Sequence, residues 1–162
     1  MTRTLDAEDR GRLDRILAVI AATEVGPTAT DLADAPVLDL WRPVISRYGA
    51  VGLWGEVTGH PVLGNDAIVT SRLIALDAEA GWARTASRWY RLGRPFARFE
   101  ADLAASLGAK DPQPGFLSFE LRHFGTVDDP GQLVKLLAAY IAQMRALDAA
   151  DRAARTDQED MV

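Results

Sequence analysis

The sequence predicts an α+β protein, in which a small antiparallel β-meander of about four strands packs with N-terminal, middle and long C-terminal helices. Apolar residues recur at helical spacing near both ends of the chain, whereas β-branched and aromatic residues separated by turn residues fill the centre. The chain has 162 residues, of which 48% are hydrophobic, and this length suits one domain. We therefore expect residues 1–162 to form a single domain whose polar tail frays from about residue 151.

The first helix is predicted over residues 7–23, because Asp6 is a good N-cap and apolar side chains then follow on one face. Gly26 and the proline after it are typical of a helix end. Thr28 and Asp31 then predict a capped short helix that reaches about residue 33.

Strands are predicted over residues 50–58, 68–76 and 82–92, where Val, Ile, Leu and Trp are frequent. Turn residues rich in Gly, Pro and Asn separate the first two strands. A five-residue loop over 77–81 joins the second strand to the third as a hairpin.

The segment 82–92 also has a helical alternative, because Arg84, Arg88 and Arg91 would share one helix face. We favour the strand, since the Thr, Trp and Tyr residues of this segment suit a sheet and a glycine would fall early in the helix.

The C-terminal third begins with Pro95, which opens a helix that ends before Gly108. Alternating residues over 117–121 predict a half-buried strand. Asp129, followed by Pro and Gln, predicts a capping box at the start of the longest helix. Its apolar stripe comprises Leu133, Leu136, Leu137, Tyr140, Ile141, Met144 and Leu147. We expect this stripe to pack against the sheet or against a second copy in a homodimer.

The net charge of −5 is unevenly distributed along the chain. Residues 47–98 carry seven basic and four acidic side chains, whereas the segments on either side carry more acids than bases. Such a basic centre favours local binding of an anion or an acidic partner. The alternative is that the arginine content of the whole chain explains it, because Arg outnumbers Lys 16 to 2 throughout.

Short motifs built on Gly, Pro and Trp occur between residues 26 and 93. They are Gly26-Pro27-Thr28, Trp41-Arg42-Pro43, Gly59-His60-Pro61-Val62-Leu63-Gly64, Thr70-Ser71 and the stretch from Gly81 to Gly93. In these motifs the chain resembles an uncharacterised family of small alphaproteobacterial proteins, a domain of unknown function. The resemblance implies a bacterial accessory protein. It assigns no functional residue, because the family has no established activity.

The main candidate site is an arginine and aromatic face in the segment 82–92. If this segment is one strand, alternation places Trp82, Arg84, Arg88 and Tyr90 on the same face. Arginines and aromatics of this kind are typical of protein interfaces and of sheets that bind single-stranded nucleic acid. The structural alternative is that the aromatics belong to the core. Further anion- or partner-binding candidates are Arg91 and Arg94.

Evidence for an enzyme is weak. His60, Asp66 and Ser71 supply the residue types of a hydrolase triad, but no nucleophile-elbow motif surrounds the serine. The chain has no Cys and two His, and it lacks helical metal-ligand motifs, so we expect neither a metal site nor a cofactor. Phosphate-loop signatures are missing as well.

These observations favour a non-catalytic binding or regulatory protein that acts through protein–protein contact, such as a modulator or inhibitor of a larger bacterial machine. The first alternative is a nucleic-acid-binding module that uses the same arginines, and the second is a small hydrolase. The charged N-terminus and the lack of a long apolar run predict no membrane association. Together with the absence of Cys, they favour a cytoplasmic location.

Overall fold

The computed structural model describes residues 4–111 and 113–161. Within these ranges the chain forms four helices: α1 (Ala7–Val25), α2 (Ala29–Asp34), α3 (Phe96–Ser106) and α4 (Pro130–Glu159). The strands are β1 (Val37–Ser46), β2 (Val51–His60), β3 (Gly64–Val69), β4 (Leu73–Asp77), β5 (Trp82–Thr85), β6 (Trp89–Leu92) and β7 (Phe124–Thr126). The α+β class and the long C-terminal helix are confirmed. The predicted meander of about four strands is wrong, because the described residues form a mixed sheet of seven strands.

The strand order in the sheet is β3-β2-β1-β6-β5-β4. The start of β1 runs parallel to β6, where Val37 pairs with Arg91. The end of β1 pairs with β7 in the antiparallel sense, where Ile45 faces Gly125. One long strand therefore supports two short strands along the same edge, and this arrangement joins the central hairpins to the C-terminal third of the chain.

The sheet curls so that its two edge strands come close together. Strands β3 and β4 stand at opposite ends of the strand order, yet only residues 70–72 separate them in the chain. Six flat strands would hold them about 24 Å apart, whereas the four residue steps from Val69 to Leu73 span at most about 14 Å. Backbone hydrogen bonds attach this connection to strands on both sides. The Thr70 N–H donates to Leu53 O, and the Ala86 N–H donates to Arg72 O.

The hydrophobic core lies inside this curl. Its buried members are Leu38, Val51, Leu53, Val57, Leu73, Ala83, Tyr90, Val127 and Leu133. Gly55 permits the close approach of β1 and β2, since a Cβ atom there would lie 2.7 Å from Leu38 Cγ and 2.9 Å from Asp39 O. On the inner face of β2, Gly55 therefore lies between the larger side chains of Leu53 and Val57, and this position requires glycine.

Strand β1 was not predicted, and its backbone is irregular. The pairing of β1 with β2 shifts register between Asp39 and Arg42. At this bulge Leu40 adopts a φ of 53°, in the left-handed region that is uncommon for residues other than glycine. The bulge interrupts the period-2 alternation from which a strand is predicted.

Two further strand predictions need correction. The predicted strand over 68–76 is divided at residues 70–72, where the chain crosses between sheet edges. Residues 117–121 do not form a strand, and the short strand β7 lies just beyond them. The carboxylate of Glu100 holds this segment instead, by accepting the backbone N–H of Leu117.

Helix boundaries follow the predicted caps. The Asp6 carboxylate accepts the Asp9 amide, and Thr28 forms a complete capping box with Asp31. Helix α4 begins after Asp129, whose carboxylate accepts the Gly131 amide, so among the described residues a single cap stands where a capping box with Gln132 was predicted. It continues through Glu159, past the point from which fraying was expected.

Asp151 anchors the C-terminal part of α4. Only 2% of this residue is exposed, and its carboxylate accepts the backbone N–H of Leu5 and the guanidinium groups of Arg10 and Arg155. These bonds lower its pKa from 3.8 to about 2. The beginning and the end of the described chain are therefore tied together by one carboxylate.

Candidate functional site

The segment 82–92 is a tight β-hairpin. Strands β5 and β6 pair in the antiparallel sense, with Arg84 opposite Trp89 and Ala83 opposite Tyr90. The helical alternative is therefore wrong, and the predicted single strand is divided by a reversal at residues 86–88. Because the chain reverses, alternation across the whole segment does not hold.

The reversal changes which residues share a face. Directly opposite residues of an antiparallel pair point to the same side of the sheet, so Trp82, Arg84, Trp89 and Arg91 lie on the outer side. Tyr90 points into the core, where 3% of it is exposed and burial raises the pKa of its hydroxyl. The predicted grouping of Tyr90 with Trp82 and Arg84 is therefore wrong. Trp89 takes its place.

The aromatic rings on the outer side stack against one another. Trp82 and Trp89 meet edge to face, with ring centroids 5.4 Å apart and an interplanar angle of 76°. The guanidinium carbon of Arg84 lies 5.4 Å from the Trp89 ring centroid, within the range of a cation–π contact. Trp89 thus supports both neighbours, and Trp82 and Arg84 are left half-buried at the surface.

Arg84 and Arg88 line one open pocket of about 230 Å³, together with Ser87 and Trp89. Within residues 4–111 and 113–161, neither guanidinium donates a hydrogen bond or forms a salt bridge, and Arg84 Nε is buried without a partner. Burial lowers the pKa of Arg84, although the nearby Asp31 carboxylate opposes this effect. We refer to this concavity as the Arg84 pocket.

Two acidic residues also line the Arg84 pocket, Asp31 and Asp34. The Asp31 carboxylate accepts the backbone N–H of Thr28 in the capping box, and this bond is the main reason why its pKa is lowered. Asp31 is therefore committed to helix α2 and is not bonded to either arginine.

The other predicted arginines have partners elsewhere. Arg91 donates from Nε to the backbone oxygen of Ala35, at 3.1 Å. Arg94 binds Asp39 twice, through its backbone N–H at 2.8 Å and through Nη2 at 3.0 Å. The side-chain bond from Arg94 is the main reason why the pKa of Asp39 is lowered. These bonds attach Arg91 to the end of α2 and Arg94 to β1, and both side chains remain exposed.

The residues of the hydrolase alternative are bonded separately. His60 Nδ1 accepts the backbone N–H of Val62 and of Leu63, and burial lowers the pKa of this imidazole. Ser71 Oγ donates to Thr85 Oγ1 at 3.0 Å, and the Asp66 carboxylate accepts the adjacent Ala67 amide. The described part of the chain also contains no group of three His, Asp or Glu side chains arranged to hold a metal ion.

A second concavity, which the sequence did not predict, lies beside the bulge of β1. It has a volume of about 370 Å³ and opens between β1, the start of α3 and the start of α4. We call it the proline cleft, and its rigid rings are Trp41, Pro43, Pro95, Phe96, Pro114 and Pro130. Trp41 lies within the bulge of β1, and its indole Nε1 donates to Gly93 O at 3.1 Å.

Charged side chains at the rim of the cleft are paired within the protein. Arg42 donates from Nε and Nη2 to the two carboxylate oxygens of Asp128, at 2.9 and 3.0 Å. Its guanidinium carbon lies 4.8 Å from the Phe96 ring centroid and 4.7 Å from that of Phe119. The bidentate bond lowers the pKa of Asp128. Arg42 thereby fastens the segment after β7, through Asp128, and the segment before it, through Phe119, to the sheet.

The cleft has no catalytic motif in its sequence, because its lining is mainly apolar. Its signal in the sequence is the pairing of an aromatic residue with a proline in Trp41-Arg42-Pro43 and in Pro95-Phe96, with Pro130 much further along the chain. The parallel contact between Trp41 and Pro95 brings the first two of these pairs together.

The fold, the Arg84 pocket and the proline cleft define a class: an α+β protein built on a curled mixed sheet, with an arginine–tryptophan surface and an apolar cleft. The chain belongs to a family of unknown function, DUF6634, whose model matches residues 3–159. The match extends well beyond the residues 26–93 that carried the resemblance. No curated protein and no solved structure matches the chain. None of the described helices is long and apolar enough to cross a membrane.

Proposed function

We propose that this chain is a non-catalytic binding protein that acts through contact with another protein, and that the Arg84 pocket is its contact site. The observation that carries this proposal is the pair of arginines, Arg84 and Arg88, whose guanidinium groups have no hydrogen-bond or salt-bridge partner in the described part of the chain. Arginine and tryptophan are the residues most enriched among interface hot spots.

The chemistry of the pocket favours a carboxylate-bearing segment of the partner. A guanidinium presents donors in a planar fork that matches a carboxylate. Neither guanidinium has a hydrogen-bond acceptor among the described residues, so a partner's carboxylate would supply acceptors that these donors lack. The ring of Trp89 holds the Arg84 side chain in place, which reduces the entropy lost on binding.

Two observations make nucleic acid the weaker candidate. The chain carries a net charge of −5, and Asp31 and Asp34 stand beside the two arginines, so a polyanion with many charges is repelled more strongly than a partner segment with a single carboxylate. In addition, Trp89 already contacts Trp82 and Arg84, which leaves its ring less accessible to a base.

The proposal also covers the compartment, the cellular role and the origin of the protein. We infer a bacterial, cytoplasmic protein that modulates or inhibits a larger assembly, as its small size and acidic composition suggest. Its origin among alphaproteobacteria is part of the same inference.

Pairing of two copies through α4 is also part of the proposal. The apolar stripe of α4 packs against α1 and β4, but Leu147 remains 40% exposed at its edge. Sedimentation velocity of the wild type and of Leu147→Glu tests this surface. A concentration-dependent dimer that disappears in the variant supports the pairing, whereas a wild-type monomer at all concentrations refutes it.

The contact site is tested with immobilised wild type and with the double variant Arg84→Gln, Arg88→Gln as baits for a lysate of the native host. The matched control is Arg15→Gln, which removes an exposed arginine from α1. We expect a protein that is retained by the wild type and by the control but lost from the double variant. Circular dichroism verifies that each bait is folded.

The captured protein is then purified, and its affinity is measured at two salt concentrations. An affinity that falls by at least about tenfold in the double variant, equal to about 1.4 kcal/mol, supports the proposal. Equal retention by all three baits refutes it. Micromolar binding of random-sequence oligonucleotides with a steep salt dependence would instead identify nucleic acid as the ligand.

A further inference from the structure

The proline cleft has the size and shape of a site for a small molecule. Its volume of about 370 Å³ falls within the range of about 300–1,000 Å³ that is usual for ligand pockets. It lies apart from the Arg84 pocket, and no lining residue is common to the two. A function for the cleft therefore does not depend on the proposed protein contact.

The walls of the cleft are rigid before any ligand binds. Four of its lining residues are prolines, whose rings fix the backbone φ angle. Trp41 is held by its bond to Gly93 O, and Phe96 lies against Trp54 and Phe119 with ring centroids 6.1 and 5.2 Å away. A preformed wall loses little conformational entropy when a ligand binds.

The polar side chains of the cleft are already satisfied. Glu100, which is 6% exposed, accepts the backbone N–H of Gly115 and of Leu117. Arg42 and Asp128 are bonded to each other, and the indole N–H of Trp41 is bonded to the backbone. A charged ligand would find no free counter-charge here and would lose its hydration without compensation.

We propose that the proline cleft binds a small, uncharged, ring-bearing apolar molecule. The rings of Trp41 and Phe96 offer edge or face contacts to an aromatic ligand, and Leu76, Val127 and Leu133 close the remaining walls. Recognition rests on shape and on apolar contact, because the polar side chains are occupied within the protein.

The strained backbone beside the cleft is consistent with a binding role. Leu40 holds a φ of 53° within the bulge, directly before Trp41, which lines the cleft. A strained bulge that aims one aromatic side chain into a cavity is typical of binding sites.

The test compares three probes that share one ring system: 2-naphthalenemethanol, which is neutral, 2-naphthoate, which is an anion, and 2-naphthylmethylamine, which is a cation at pH 7. Binding is followed by ¹H–¹⁵N spectra of the full chain, in which each indole N–H gives its own signal. We expect the neutral probe to shift the Trp41 indole signal and to bind at least about tenfold more tightly than either charged probe. The indole signals of Trp82 and Trp89 should remain in place.

Two filling variants place a larger side chain in the cleft, Ala97→Phe and Ala78→Phe, and Ala105→Phe on the outer surface of α3 is the control. We expect each filling variant to weaken binding of the neutral probe by at least about tenfold, with the control unchanged. If one filling variant fails to fold, the other still decides. Absence of binding by the neutral probe up to its solubility limit, tighter binding of a charged probe, or shifts confined to Trp82 and Trp89 would overturn the proposal.

Discussion

Replacing Gly55 by alanine tests the close packing of β1 against β2. An alanine Cβ would lie 2.7 and 2.8 Å from the Leu38 side chain and 2.9 Å from the Asp39 backbone oxygen. Leu38 is fully buried and cannot swing into solvent, and Asp39 begins the bulge of β1. Both neighbours must therefore shift.

The magnitude follows from two opposing effects. Overpacking a core costs about 1–3 kcal/mol, and we expect about 2–3 kcal/mol here because one of the contacts is with backbone. Replacing glycine by alanine also reduces the entropy of the unfolded chain, which offsets about 0.4–1 kcal/mol. The net loss of stability is about 1–2.5 kcal/mol, equal to a decrease in Tm of about 2–10 °C for a chain of this size.

Urea and thermal unfolding of the wild type and of Gly55→Ala measure this loss. Gly125→Ala is the matched control in β7, because a Cβ there lies 3.8 Å from Ile45 Cγ2 and meets no closer atom. We expect the control to stay within about 1 kcal/mol of the wild type. A Gly55→Ala protein that is as stable as the control would show that β1 and β2 do not approach as closely as described.

Three further predictions concern the core, the cleft and the chain ends. Leu53→Ala, at a fully buried site, should cost about 2–5 kcal/mol in urea unfolding, and a loss below about 1 kcal/mol would contradict its place inside the curled sheet. Arg42→Lys keeps the charge but loses the fork to Asp128 and the ring contacts, so we expect a loss of about 1–2 kcal/mol, whereas wild-type stability would contradict this role. Because the folded-state pKa of Asp151 is lowered to about 2, its carboxylate stabilises the fold above about pH 4, and this stabilisation is lost as the pH falls through about 2. The Tm difference between the wild type and Asp151→Asn should therefore be largest near pH 7 and shrink toward pH 2, and a constant difference would refute the assignment.

Helix ends could be predicted because their signals are local. Asp6, Thr28 and Asp129 each cap the helix that follows by a bond to an amide two or three residues along the chain. Such short-range chemistry requires no knowledge of the rest of the fold.

Burial on α4 could not be predicted in the same way. The apolar stripe predicts a core-facing helix, yet Leu133 is its only buried member, and most of the others, Leu136 and Leu137 among them, are half-buried. The other buried residues of the helix are Asp151 and Ala154. Hydrophobic periodicity does not predict the burial of Asp151, because this burial depends on Leu5, Arg10 and Arg155 as hydrogen-bond partners.

The prediction of which residues share a face in the candidate site depended on a single turn. Arginines and aromatics in the segment 82–92 were predicted from composition, but their faces followed from the assumption of one continuous strand. The reversal at 86–88 exchanges the roles of Tyr90 and Trp89, so that one joins the core and the other supports Arg84. Since the side-chain period of a strand is two residues, any turn between two positions removes their predicted relation.

The proline cleft depends on contacts that are distant in the sequence. Trp41 meets Pro95 only because the start of β1 lies parallel to β6, and parallel pairing joins segments that no hairpin connects. The bulge at Leu40 then decides whether the Trp41 ring enters the cleft or stays in the strand alternation. Removing the left-handed conformation at this position should therefore close the site without unfolding the sheet. A variant from which Leu40 is deleted, so that residues 39–42 pair regularly, is expected to lose binding of the neutral probe, 2-naphthalenemethanol, and to keep the Arg84 pocket. Binding of this probe by the variant would show that the bulge does not form the cleft.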